Sequence, residues 1–207
     1  MMESKFVHIV CSVLFCAFSF CYLFFFQADV MTVTQHLASG GQTFYSPLAG
    51  ALLITFTLKL LQTGVSSLVR LSKRGFALTY FPSFLVLTVL SDIRPSACGV
   101  TIGKWGWGVP LLLAVYVLVV VSVKCFEPYE PELRSRGAFS QLTWVSLLIF
   151  LAFFLFTSLF SNTDRYFHQR AKVEAMIDRK DYSGALSVIR TMPHTDSVTS
   201  MLTVYAV

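Results

Sequence analysis

Charge is scarce in this chain. Asp, Glu, Lys and Arg make up 13% of its 207 residues, roughly half the share found in an ordinary soluble domain. Motifs that mark several enzyme classes are missing too. There is no P-loop, no GxSxG and no HExxH, so nucleotide, serine-hydrolase and zinc-protease chemistry have no support. His8, His36, His168 and His194 are scattered and form no metal-ligand cluster. No CxxC occurs among Cys11, Cys16, Cys21, Cys98 and Cys125. The first three are five residues apart, a rotation of about 500° on a helix, so they share no face and make no ligand set. No disulfide pair is evident, and neither a metal nor another cofactor is implied. The net charge is +5, but Lys and Arg sit at segment ends and in the tail rather than in one stripe. That pattern gives no nucleic-acid surface.

What is present in quantity is apolar. Hydrophobic residues are 55% of the chain, aromatic residues 15%, and the mean hydropathy is +0.67. Runs free of charge cover 6–28, 30–58, 75–91, 105–123 and 137–163. A spanning helix needs roughly 20 mostly apolar residues. The expected fold class is therefore all-α, with about five transmembrane helices near 6–26, 46–69, 76–92, 105–125 and 138–161. They form a transmembrane domain over 1–161, with the lipid bilayer as its first partner. The opening run, "FVHIVCSVLFCAFSFCYLFFF", is too long for the apolar core of a secretory signal and is followed by no small-residue cleavage site. The fourth run is rich in β-branched residues, yet in lipid a helix satisfies its own backbone where a lone strand cannot. Trp105 and Trp107 stand at its mouth, where an aromatic belt is expected.

Lys and Arg also give an orientation. With the N-terminus inside, the inner segments carry Lys5, Arg70, Lys73, Arg74, Lys124, Arg134 and Arg136, against only Arg94 and Lys104 outside. The positive-inside rule then makes the N-terminus cytoplasmic. Five spans leave the C-terminal segment periplasmic, although its own Arg165, Arg170 and Lys172 pull the other way.

That segment, 162–207, reads as soluble and helical. Tyr182, Ala185, Leu186 and Ile189 repeat at helical spacing, and Val198, Met201, Leu202 and Tyr205 repeat it again. A looser stripe of Tyr166, Val173, Met176 and Ile177 precedes them. Asp181 is positioned to cap the second tail helix, and Thr195 or Asp196 the third, with Pro193 between. "DYSGALSVI" resembles the start of the second helix of a tetratricopeptide (TPR) unit, with Tyr182 and Ala185 at its aromatic and small positions. Pro193 comes a turn early for that motif, and the first helix lacks the usual Trp and Gly. One such unit cannot bury its own face, so the array is expected to continue or to pack on a protein partner. The two stripes are the expected interaction face.

Taken whole, the chain resembles an uncharacterised family of multi-pass inner-membrane proteins from Bacteroides-type bacteria. "QADVMTVTQHLASGGQTFY", "LTYFPSFLVLTVLSD", "PYEPELRS" and the "DYSGAL" tail carry that resemblance. It implies a bacterial inner membrane and the architecture above, and no activity.

Chemistry has two candidate places. The first outer loop, "QADVMTVTQHLASGGQTFYSP", holds Asp29, then Gly40 and Gly41, Tyr45 and Pro47. It resembles the first outer loop of multi-pass (GT-C type) glycosyltransferases that use polyprenyl-phosphate sugars. There an acid stands just beyond the first helix and would act as base toward an acceptor hydroxyl. Asp29 is the candidate base, and His36, seven residues on, shares its face if 29–38 is helical. The second place is a polar stripe in the second helix: Lys59, Gln62, Thr63, Ser66 and Arg70. An intramembrane Lys is a functional flag. The plainer expectation is that this span ends near Leu61, with Lys59 reaching for the interface and 62–72 lying in it. Asp92 and Arg94 are placed to pair, and "EPYEPE" (127–132) reads as a stiff spacer. The function expected from all this is a membrane scaffold or adaptor presenting a helical-repeat tail. The alternative is the glycosyltransferase.

Overall fold

The structure, a computed structural model, describes residues 2–43, 45–71, 75–92, 94–96, 99–101, 104–126, 141–161, 165–178, 180–192, 200–201 and 203–204. Helix dominates. α1 (Met2–Cys21) runs on through a π-helical turn, Tyr22–Phe26. There the Gln27 N–H reaches back five residues to the Tyr22 carbonyl at 3.2 Å. α2 (Ala28–Ala38) follows directly. Gly40 and Gly41, at φ 60° and 82°, turn the chain out of it, a backbone region glycine enters without a Cβ clash. α3 is Pro47–Val69 and opens on Pro47, whose missing N–H would be unpaired there in any residue. A 3-10 turn, Phe76–Tyr80, leads into α4, Phe81–Ser91. A short antiparallel ladder pairs β1 (Arg94–Ser96) with β2 (Gly99–Thr101). Then come α5 (Trp105–Phe126), α6 (Gln141–Phe160), α7 (Arg165–Asp178) and α8 (Tyr182–Ile189).

Four helical stretches are long and apolar enough to cross a membrane: Phe6–Phe26, Pro47–Val69, Trp105–Phe126 and Thr143–Phe160. They match four of the five expected spans closely. The fifth expected span, 76–92, is a shorter apolar helix, Phe76–Ser91. Its 3-10 start rises about 2.0 Å per residue and its α part about 1.5 Å, so it reaches about 26 Å, near the thickness of a hydrocarbon core.

Aromatic rings fill the centre. Phe15 of α1 meets Tyr80 and Phe84 at 5.2 and 5.1 Å, and Phe150 of α6 meets the same two at 4.9 and 5.9 Å. Phe15, Tyr80 and Phe84 are fully buried. Lipid tails are as apolar as Phe, so burial alone does not hold helices together in a bilayer; close packing and interhelical hydrogen bonds do. Two such bonds are in place. The Ser83 hydroxyl donates to the Leu58 carbonyl at 2.9 Å, and the Thr88 hydroxyl to that of Thr157 at 3.2 Å. α5 stands aside. It buries Trp105, Tyr116 and Val120 and leaves most of its length exposed.

The contacts give the bundle two ends. At the end where α1 finishes, α2 packs against β1, β2 and α7, and α7 carries α8. At the end where α1 begins lie the close of α3 and the 3-10 turn that opens α4. Helix α3 runs unbroken to Val69, as the expected 46–69 helix has it, and Gln62 is buried because it has a partner on the next element. One expectation is corrected, that of the aromatic belt. Trp107 is 90% exposed as a belt residue should be, but Trp105 is only 3% exposed, its indole N–H donating to Asp92. The expected Asp92–Arg94 pairing involves a side chain outside the described residues, as do Val198, Leu202, Tyr205, the caps at Thr195 and Asp196, and the 127–132 loop.

Candidate functional site

The polar stripe of α3 builds a site at the end where α1 begins. Lys59 Nζ donates to Gln62 Oε1 at 2.7 Å, one turn further along the same helix, and to the Tyr80 hydroxyl at 3.1 Å. It also lies 5.0 Å from the centre of the Tyr80 ring, within cation–π range. Gln62 Nε2 donates in turn to Thr79 Oγ1 at 3.2 Å, and that hydroxyl donates to the Phe76 carbonyl at 2.7 Å. The chain Lys59–Gln62–Thr79 and the bond to Tyr80 thus tie α3 to the 3-10 turn. Beside them, His8 of α1 stacks on Phe76, ring centres 3.6 Å apart.

These residues line a cleft of ≈ 320 Å³, bounded by His8, Ile9, Ser12, Lys59, Gln62, Thr63, Ser66, Phe76 and Tyr80. Four of the five predicted stripe residues therefore meet in one place. Arg70 does not join them. It is exposed, caps α3 at φ 46° and donates to the Ser67 carbonyl at 3.3 Å. Thr63 lies on the rim, its hydroxyl returned to the Lys59 carbonyl at 2.9 Å.

The second predicted site lies at the opposite end. Asp29 occupies the first turn of α2, where a carboxylate faces the positive end of the helix dipole. His36 is on the same helix, and its carbonyl accepts from the Gly41 N–H at 2.9 Å and the Ser39 hydroxyl at 3.2 Å. Seven residues at about 1.5 Å each set Asp29 and His36 about 10 Å apart along the axis, beyond direct hydrogen bonding. Tyr45 is buried against α3, and a Cβ at Gly50 would collide with its ring. That close approach is what Gly50 permits. Burial pushes the Tyr45 phenol above its ordinary value.

Above α2 sits the tail. Val173 and Ala171 of α7 and Ala185 of α8 are buried, and Met176, Ile177, Leu186 and Ile189 are half-buried. Tyr182, at the start of the stripe, is 38% exposed. Asp181 caps α8 by accepting the Gly184 N–H at 3.0 Å. Met201 is 76% exposed and Val204 79%. Arg170 and Glu174 pair at 3.0 Å along α7, an i,i+4 contact of small energetic weight.

Sequence reasoning missed His8, Thr79, Tyr80 and Ala171. The first three are polar-tipped side chains inside otherwise apolar runs, which is the signal that could have found them. Nothing in the sequence paired α2 with α7. The long apolar helices and their aromatic core define a helical membrane protein. No protein family, curated protein or solved structure matches the chain.

Proposed function

We infer that the chain is a five-pass protein of a bacterial inner membrane that holds a TPR-like helical platform on its periplasmic face as a scaffold for a protein partner. One observation carries this: α7, which bears α8, is packed on α2, the helix that follows the first span. A tail docked in this way is held at a fixed height and angle, as a scaffold requires. Five crossings are supported by the same contacts. α2, the β1–β2 ladder and α7 meet at one end, so an even number of passes must separate each from the next. The shorter apolar helix Phe76–Ser91 is the one available to supply the fifth. The count of Lys and Arg favours the N-terminus inside.

The exposed apolar side chains of Met201 and Val204 support a partner contact there. The test is site-specific photocrosslinking in intact membranes. A benzoyl-phenylalanine at position 201 or 204 is expected to give one discrete adduct, and the same probe at the exposed Lys172 none. Equal yields at all three positions, or none at 201 and 204, would remove the scaffold reading.

The glycosyltransferase alternative keeps one supporting observation: α2 is helical from Ala28, so Asp29 and His36 share a face just past the first span. Asp29→Asn is the discriminating variant. Loss of sugar transfer from a polyprenyl-phosphate donor, with the fold intact, would favour the enzyme over the scaffold.

A further inference from the structure

Lys59 is a cation set among apolar helices, and the oxygens it donates to, Gln62 Oε1 and the Tyr80 hydroxyl, are both neutral. Among the described residues no carboxylate lies against it, and none lines its cleft. An ammonium has three donors, so one remains beyond those two bonds. A charge in such surroundings is costly unless an opposite charge or strong dipoles meet it. Nor is Lys59 alone as a donor. The same cleft gathers the imidazole of His8 and the hydroxyl of Ser66, while the hydroxyls of Ser12 and Thr63 are engaged with Tyr80 and the Lys59 carbonyl. Among the described residues the wall therefore offers donors and no acid, which suits an anion with several acceptor oxygens.

Depth and surroundings narrow the choice. His8 lies two residues inside the span that begins at Phe6, and Phe76 is the first residue of the 3-10 turn. The cleft thus sits close to the membrane surface on that side, and Lys59 reaches one turn toward it to meet Gln62. Ile9, on the cleft's lining, is exposed, an apolar edge that acyl chains can cover. At ≈ 320 Å³ the cavity is within the size range of small-ligand sites. We propose that this cleft binds the phosphate of an anionic phospholipid, drawn from the leaflet at the end where α1 begins, with Lys59 as its counter-ion. The inference does not depend on what the tail does.

The full chain in mild detergent, examined by native mass spectrometry with added lipid, tests it. Dimyristoyl-phosphatidylglycerol is expected to be retained one per chain and about tenfold more tightly than dimyristoyl-phosphatidylcholine, whose phosphodiester carries the same charge but brings a choline cation that Lys59 repels. Lys59→Met is expected to abolish that preference. Thr63→Phe should fill the mouth and lower retention while leaving the Lys59 bonds to Gln62 and Tyr80 in place, which keeps the test decisive if Lys59→Met folds poorly. Arg70→Asn removes one positive charge outside the cleft and is expected to change nothing. Equal retention of the two lipids would overturn the proposal. So would an equal loss in Arg70→Asn, or unchanged retention by both Lys59→Met and Thr63→Phe. Inorganic phosphate that displaced the phosphatidylglycerol at equal concentration would make free phosphate, not lipid, the ligand and would likewise overturn it.

Discussion

The indole N–H of Trp105 donates to Asp92 Oδ2 at 2.9 Å, and both side chains are buried. This bond clamps the start of α5 to the end of α4 across the β1–β2 ladder. It also explains how an acid survives at the end of an apolar helix. A buried carboxylate is tolerated when donors meet it and costly when they are removed. Trp105→Phe keeps a ring in place and deletes one donor. The expected loss is about 1–3 kcal/mol, read as a lower unfolding midpoint in detergent. Trp107→Phe, at an exposed site, is expected to stay within about 0.5 kcal/mol. Equal effects would show that the Trp105–Asp92 bond contributes nothing.

Thr88 and Thr157 are both buried and join α4 to α6 through their hydroxyls. Interhelical hydrogen bonds in membranes are worth about 0.6 kcal/mol on average, with about 1.7 kcal/mol at the top of the range. A double-mutant cycle of Thr88→Val and Thr157→Val should return a coupling inside that range. A coupling of zero would mean that the contact is geometric only.

Tyr45 supplies a pH dependence. Its phenol is raised above the ordinary value near 10 by burial, so the folded chain favours the neutral form. The stability this gives is complete below the unfolded value and is lost as pH rises through the raised one. The buried hydroxyl has no hydrogen-bond partner among the described residues. Tyr45→Phe should therefore leave stability at about pH 8 unchanged or higher, and should flatten the decline above about pH 10. Thermal unfolding of both chains across that range checks it, and an equally steep decline in the variant would assign it to another group.

The tail carries a packing prediction. Ala185 is 0% exposed where α8 meets α7. Ala185→Arg forces volume and charge into that contact; overpacking by itself costs about 1–3 kcal/mol. Ser187 is exposed in the same helix, and Arg there should change stability by no more than about 0.5 kcal/mol. Limited proteolysis of the tail in membranes should cut the Ala185→Arg chain first. Equal protection of the two would mean that Ala185 is not a contact between helices.

How much of this was legible in advance depends on how local each feature is. The runs without charge placed α1, α3, α5 and α6 to within a few residues, because a bilayer demands one thing of a helix: an uninterrupted apolar length. Asp181 as the cap of α8 was equally visible, since its partner is three residues away. Lys59 and Gln62 were visible as a stripe. Their meaning was not, because it hangs on Tyr80, 21 residues on, and on His8 from another helix. The burial of Gln62 was hidden for the same reason. Gln62 looks like an interfacial residue until Thr79 is placed beside it.

By itself, then, the sequence determined that the chain is helical, where its membrane helices begin and end, and which residues of α8 share a face. These follow from 3.6-residue periodicity and from the cost of charge in hydrocarbon, both of which act along the chain. Only the tertiary structure decided that Lys59, His8 and Tyr80 line one cleft, that Trp105 turns inward to Asp92, and that α7 lies on α2. Each of these joins side chains far apart in the chain. In a medium where any apolar face packs on any other, the polar partners and the ring contacts choose the arrangement, and they are specified only when the helices meet.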